Sequence, residues 1–144
     1  MRGAPPRLHG HLYSWQALRL PQPPARTSFV AVSAGSLDQK VGIDTMNILA
    51  AAVVKDGRTV LSSCVSSQIE MHTIYGGVVP ELASRKHIEA ISGLADKALA
   101  DAELSRADLD AVAVTYAPGL IGAVLVGVNF AKGAAMALDL PLIP

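Results

Sequence analysis

The 144 residues carry 12 basic and 12 acidic side chains, a formal net charge of +0, one cysteine and 51% hydrophobic residues. That length supports one domain, or one half of a larger protein, with enough chain for a real core. The lone Cys64 excludes a disulfide scaffold and a cysteine zinc site and points to a reducing compartment. The zero net charge argues against a generic nucleic-acid binder held by a strong positive field.

The charge is unevenly spread. Residues 1–40 hold five basic residues and one acid, net +4, while residues 41–144 are net −4. The first segment also takes five of the nine prolines, at positions 5, 6, 21, 23 and 24. Prolines fix the backbone angle and remove donors, so residues 1–40 are expected to be a disordered or non-native leader. Its Arg-rich, acid-poor start allows an organelle transit peptide, but the prolines leave only 12–20 for a helix. A misassigned start or a cloning scar explains it as well.

From Val41 the pattern turns globular. Short apolar strands are expected at 41–44 and 50–54. Lys55-Asp-Gly-Arg58 is the turn of a hairpin, and 59–67 returns as a β-branched, serine-rich strand. Pro80 and Glu81 suit a first helical turn. Ile88, Ile91, Leu94, Ala95, Ala98, Leu99 and Ala102 recur at helical spacing, which predicts a helix over 80–102. Residues 105–110 form a polar connection, 111–115 a buried strand, and Pro118-Gly119 a break. The richest apolar run, 120–138, is interrupted by Gly122, Gly127, Asn129, Lys132 and Gly133. It reads as a buried helix rather than a membrane span. Pro141-Leu-Ile-Pro144 begins a last strand. The order β-β-β-α-β-α-β predicts an α/β fold with a mixed sheet, the opening of a ribonuclease-H-like half-domain stopped in its last strand. Order alone does not assign a function.

Three places carry candidate chemistry. Asp44-Thr45, at the end of the first expected strand, could hold a phosphate or a metal-bound water, or could be an ordinary turn. In Tyr75-Gly-Gly-Val-Val-Pro-Glu-Leu-Ala-Ser-Arg-Lys-His87, two glycines precede a helix start that presents Glu81, Arg85 and Glu89. Their spacing fits a surface ion ladder as well as a face turned to a substrate. Thr115-Tyr-Ala-Pro-Gly-Leu-Ile-Gly122 is a strand, a small-residue loop with Pro118 and Gly119, and a helix start with Gly122. Such a loop aims free N–H groups at an anion. It is neither a Walker loop nor a dinucleotide fingerprint. His9, His11, His72 and His87 show no metal-ligand spacing, and Cys64 reads as a small core or edge residue.

Residues 41–144 resemble the N-terminal part of the catalytic subunit of bacterial tRNA threonylcarbamoyladenosine synthase, the Kae/Qri-type family formerly called glycoprotease or O-sialoglycoprotein endopeptidase. The resemblance runs through Ser66-Ser-Gln-Ile-Glu-Met-His72, the Tyr75 to Glu89 stretch, Pro118-Gly-Leu-Ile-Gly-Ala-Val-Leu-Val-Gly127, Ala131-Lys132 and Leu140-Pro-Leu-Ile-Pro144. It implies an actin-like ATPase fold of two ribonuclease-H-type halves. It also implies a cytoplasmic acyltransferase that moves threonylcarbamoyl from threonylcarbamoyl-adenylate to N6 of adenosine 37, in tRNAs reading codons beginning with A. A divalent metal, iron or zinc, and partner subunits (an inactive paralogue and an ATPase) are implied too, and no membrane. On that reading the substrate-binding candidates are Asp44, Thr45, Glu81, Arg85, Pro118, Gly119 and Gly122.

Two departures bear on this. The family's polar loop Asp/Glu-Thr-Ser-Cys-Asp-Asp/Glu-Thr stands here as Asp44-Thr-Met-Asn-Ile-Leu49, one residue shorter and without carboxylate or hydroxyl groups after the threonine. The family's metal-binding His-x-x-x-His pair is expected about three residues past Pro144, so no metal ligand or catalytic residue is assigned here. The chain is therefore expected to be an N-terminal fragment that is inactive alone. The alternative is a non-catalytic scaffold of the same complex, like the inactive paralogue.

Overall fold

A computed structural model describes residues 28–34 and 48–144. Its elements, in chain order, are β1 (Ser28–Ala34), β2 (Ile48–Lys55), β3 (Thr59–Ser67), α1 (Ile69–Thr73), α2 (Pro80–Asp101), a 3-10 turn (Arg106–Asp108), β4 (Ala111–Val114), α3 (Ile121–Leu138) and β5 (Leu142–Ile143). The strands form one sheet in the order β3-β2-β1-β4-β5. β1 runs antiparallel to β2 and parallel to β4, β2 is antiparallel to β3, and β4 is parallel to β5. The sheet is mixed, a hairpin joined to a parallel half.

The central strand corrects the expected leader. Ser28–Ala34 lies inside the segment read as disordered or non-native, yet it pairs on both sides, and Val32 is 1% exposed. Ser-Phe-Val-Ala-Val-Ser-Ala has strand composition, and pairing with β2 and β4 outweighs the prolines just before it. The strand expected at 41–44 lies outside the described residues.

The β2–β3 hairpin follows from its turn. Asp56 and Gly57 both have positive φ, at 56° and 67°, and the Arg58 N–H donates to the Lys55 carbonyl at 3.2 Å. Two consecutive left-handed residues match the twist of the strands on either side, which is why Asp-Gly is used there. Strand alternation then sets the faces. Leu49, Ala51 and Val53 of β2 are buried, and the register aligns Cys64, Ala51, Val32 and Val114 in one row across the sheet. Both long helices cover that face. α2 contributes Ile91, Ala98 and Leu99, and α3 contributes Ala131 and Ala135.

α2 starts with Pro80 in its first turn after the extended Val79. It buries Ala83, His87, Ile91, Ala95, Ala98 and Leu99, a stripe at three- and four-residue steps. It ends where the Leu104 N–H reaches the Leu99 carbonyl and the Glu103 N–H the Ala100 carbonyl, both at 3.0 Å, with Glu103 at φ 55°. α3 ends the same way, with Leu140 N–H to Ala135 carbonyl and Asp139 at φ 52°. Both are left-handed caps in which the following leucine packs on the core.

The expectation of a buried 120–138 helix needs correction. α3 is long and apolar enough to cross a membrane by length and composition, but 28% of that span is buried. Its small-residue side, Ala123, Val124, Gly127, Ala131 and Ala135, packs inward, while Ile121, Leu125 and Met136 are exposed.

Candidate functional site

Strand directions gather the candidate segments at one edge. Ala34 pairs with Leu49, and Ile48 pairs with Ser67. The end of β1, the start of β2 and the end of β3 therefore stand together, and the parallel β4 and β5 end on the same side. The 115–120 loop leaves from this edge, with the Thr115 N–H donating to the Val32 carbonyl at 3.1 Å. In α/β sheets the crevice outside the carboxyl ends of parallel strands is where ligands bind. Asp44 and Thr45 lie outside the described residues.

Pro118 and Gly119 lie in the loop from β4 to α3, and the Ala117–Pro118 peptide is cis. Gly122 is the second residue of α3. The start of α3 abuts the start of α2 closely enough that a Cβ on Gly122 would stand 2.7 Å from Ser84 Oγ. That contact brings the Pro118–Gly119–Gly122 loop beside the turn bearing Glu81 and Arg85. Two helix starts converge there. The Val124 N–H is the first in α3 to find a helical acceptor, the Leu120 carbonyl, and neither helix has a side-chain cap. The preceding N–H groups and the positive helix ends suit a phosphate or carboxylate.

Glu81 and Arg85 pair with each other at 2.7 Å, with side chains 74% and 69% exposed. An exposed i,i+4 pair adds only about 0.3–0.5 kcal/mol. The expected continuation to Glu89 does not form, since Glu89 takes Lys86 at 2.6 Å instead. Of the candidate residues, Glu89 borders an open groove of about 340 Å³ between the end of β3, α1 and α2, together with Ser66, Ser67, Gln68, Glu70 and Lys86, whereas Glu81, Arg85, Pro118, Gly119 and Gly122 do not line it.

The sequence reading missed the buried polar cluster beside that groove. Gln68, His72 and His87 are 9%, 2% and 0% exposed. Gln68 Nε2 lies 2.9 Å from His87 Nδ1 and 3.4 Å from the Ala83 carbonyl, and Gln68 Oε1 lies 3.4 Å from His72 Nε2. The Val79 N–H donates to His72 Nδ1 at 3.3 Å. Gln68 and His72 stand four apart, a helical spacing that was a signal, but nothing in the sequence joins them to His87.

Cys64 is buried, and its thiol donates to Asp101 Oδ2 at 3.2 Å, a carboxylate that also takes Lys97 at 2.6 Å. Burial, then the bond to Asp101, pushes the thiol above its ordinary range. A thiol held neutral is a poor nucleophile or metal ligand, in keeping with a core role. Asp101 is held below the usual carboxylate range, chiefly by Lys97. Among the described residues no three His, Cys, Asp or Glu side chains come together as metal ligands. His72 has both ring nitrogens in hydrogen bonds and His87 has Nδ1 in one, so these residues do not fit the divalent metal implied by the resemblance.

Comparison with known proteins identifies a family. The family model for tRNA N6-adenosine threonylcarbamoyltransferase (TsaD) matches residues 59–144. The curated enzyme of that name from Clostridium perfringens is 62% identical over 94 residues, 65% of this chain and 28% of that protein. Its counterpart from Caldicellulosiruptor saccharolyticus is 56% identical over 104 residues, 72% of this chain and 31% of that protein. The chain thus spans under a third of the length of these relatives. Among solved structures, YeaZ from Pseudomonas aeruginosa is similar with a TM-score of 0.57 at 17% identity, covering 81% of this chain and 42% of that one. At that identity the likeness is one of fold.

Proposed function

The chain belongs to the tRNA N6-adenosine threonylcarbamoyltransferase family, and we propose that it forms the part of such a transferase that receives the adenylate donor. The observation that carries this is the edge where the Pro118–Gly119–Gly122 loop and the start of α2 meet. Phosphate of threonylcarbamoyl-adenylate would lie on the first N–H groups of α3, which have no acceptor within the helix, with Arg85 and Glu81 at the rim. Asp44 and Thr45 are proposed as further donor contacts on the family resemblance alone.

The reaction is an acyl transfer. N6 of adenosine 37 attacks the carbamoyl carbon, a C–N bond forms, the bond to the phosphate oxygen breaks, and AMP leaves as N6 gives up a proton. The helix starts stabilise the anionic phosphate before and during departure. The actin-like half-domain reading, the iron or zinc, the inactive-paralogue and ATPase partners and a cytoplasmic location come with the family and stand as part of the proposal. The match to the transferase family model favours the catalytic reading over a scaffold. The test is threonylcarbamoyl transfer to unmodified tRNA by a chimera carrying residues 48–144 in place of the matching region of the Clostridium perfringens relative, with the 144-residue chain alone as the inactive control.

A further inference from the structure

The loop between α1 and α2 is held by His72 at three points, with one further bond from the Gly76 N–H to the Thr73 carbonyl at 3.1 Å. The His72 carbonyl accepts from the N–H groups of Tyr75 at 3.1 Å and Gly77 at 3.3 Å, and its ring Nδ1 accepts from the N–H of Val79, the residue just before α2. Gly76 makes the reversal at φ 72°, a conformation a side chain would resist. The ring itself is buried.

The donor and acceptor roles around it can be deduced. The Ala83 carbonyl only accepts, so the Gln68 atom facing it must be the amide nitrogen. That nitrogen also donates to His87 Nδ1, and Gln68 Oε1 is left facing His72 Nε2, which must carry a proton. The Val79 N–H can only donate, so His72 Nδ1 must be bare. The chain closes when His72 is neutral with its proton on Nε2 and when His87 leaves Nδ1 free to accept.

We propose that Gln68, His72 and His87 form a neutral-imidazole latch that holds the 74–79 loop to the start of α2 and releases it when His72 takes a second proton. A proton on Nδ1 would face the Val79 N–H, two donors with no acceptor between them. The titratable groups on the surrounding elements are Glu70 of α1, Tyr75 of the loop, and Glu81, Arg85, Lys86, His87 and Glu89 of α2. Arg85 pairs with Glu81 and Lys86 with Glu89 at the surface. His87 is the other buried group, and a proton on its Nδ1 would break the same chain. The end of β3 brings only Ser66 and Ser67. Release would free the turn before Pro80 and with it the first turn of α2. The latch stands on hydrogen bonds alone and does not depend on the transferase reading.

The test is site-resolved amide exchange of the full chain, corrected for intrinsic rates, at about pH 7.5 and about pH 4.5. Protection of the Val79 amide should fall about five-fold or more at the lower pH, the scale of one lost hydrogen bond. Val112, fully buried in β4, should keep its protection and so report that the fold is intact. In His72→Asn the amide oxygen stands near the place of Nδ1 and does not titrate, so Val79 protection should be equal at both pH values. Equal protection in the unaltered chain, a parallel loss at Val112, or a fall that survives in His72→Asn would overturn the latch. The nitrogen spectrum of the unaltered chain at neutral pH needs no variant: His72 protonated on Nε2 supports the latch, and the Nδ1–H tautomer refutes it.

Discussion

A methyl group on Gly122 would meet Ser84 Oγ at 2.7 Å and Ser84 Cβ at 3.8 Å. The first distance is too short for two such atoms, while the second is ordinary contact. Ser84 Oγ is also held by a 2.9 Å hydrogen bond to the Pro80 carbonyl. Gly122→Ala must therefore turn the hydroxyl away and give up a bond with a net worth of about 0.5–1.5 kcal/mol. Against this stands a gain of up to about 1 kcal/mol for replacing glycine by alanine in a helix. In the unaltered background the two nearly cancel. With Ser84→Ala already in place nothing has to move, and Gly122→Ala keeps only its gain. The two substitutions should couple by about 1 kcal/mol, read from urea midpoints of the four chains at constant slope. Additivity to within about 0.3 kcal/mol would refute the close approach of the α2 and α3 starts, and with it the juxtaposition on which the proposed donor site rests.

Other parts of the structure make equally direct demands. Glu103 caps α2 in the left-handed region, where an acidic side chain is strained and lies at the negative helix end, so Glu103→Gly should stabilise by about 0.5–1 kcal/mol in thermal or urea melts. Val32 is 1% exposed at the sheet centre, so Val32→Asp, an unpaired buried charge, should cost roughly 3–5 kcal/mol; indifference in a melt would remove β1 from the fold. The Cys64 thiol is raised in the folded state, so its contribution to stability is present below the ordinary thiol range and is lost as pH rises through the folded value. Alkylation at mildly alkaline pH should be much slower for the folded chain than for the urea-unfolded one, and Asp101→Asn should speed it by removing the carboxylate that helps hold the proton.

Much of this architecture was legible where local periodicity and tertiary packing agree. The 59–67 strand coincides with β3, and the helix expected over 80–102 is Pro80–Asp101, because an apolar stripe with proline at its head has one good solution. The Asp56-Gly57 turn was readable for the same reason. β1 was not, since prolines and arginines dominate the composition around Ser28–Ala34, and its partners β2 and β4 begin 20 and 83 residues after Ser28. α1, at five residues, is too short to show a helical period. The site divides in the same way. Spacing singled out Glu81, Arg85, Pro118, Gly119 and Gly122 only as candidates, which the family resemblance then favoured, and only the fold shows that Gly122 touches the α2 start. Only the fold joins His72 to His87, through a glutamine 19 residues before the second histidine.

The most direct measurement of the central claim is N6-threonylcarbamoyladenosine formed at adenosine 37 of unmodified tRNA by the chimera that carries residues 48–144 within the Clostridium perfringens relative. Transfer by the chimera is expected, with its loss when Gly122 is replaced by a bulky residue such as valine. A folded chimera that binds tRNA yet forms no product would contradict it.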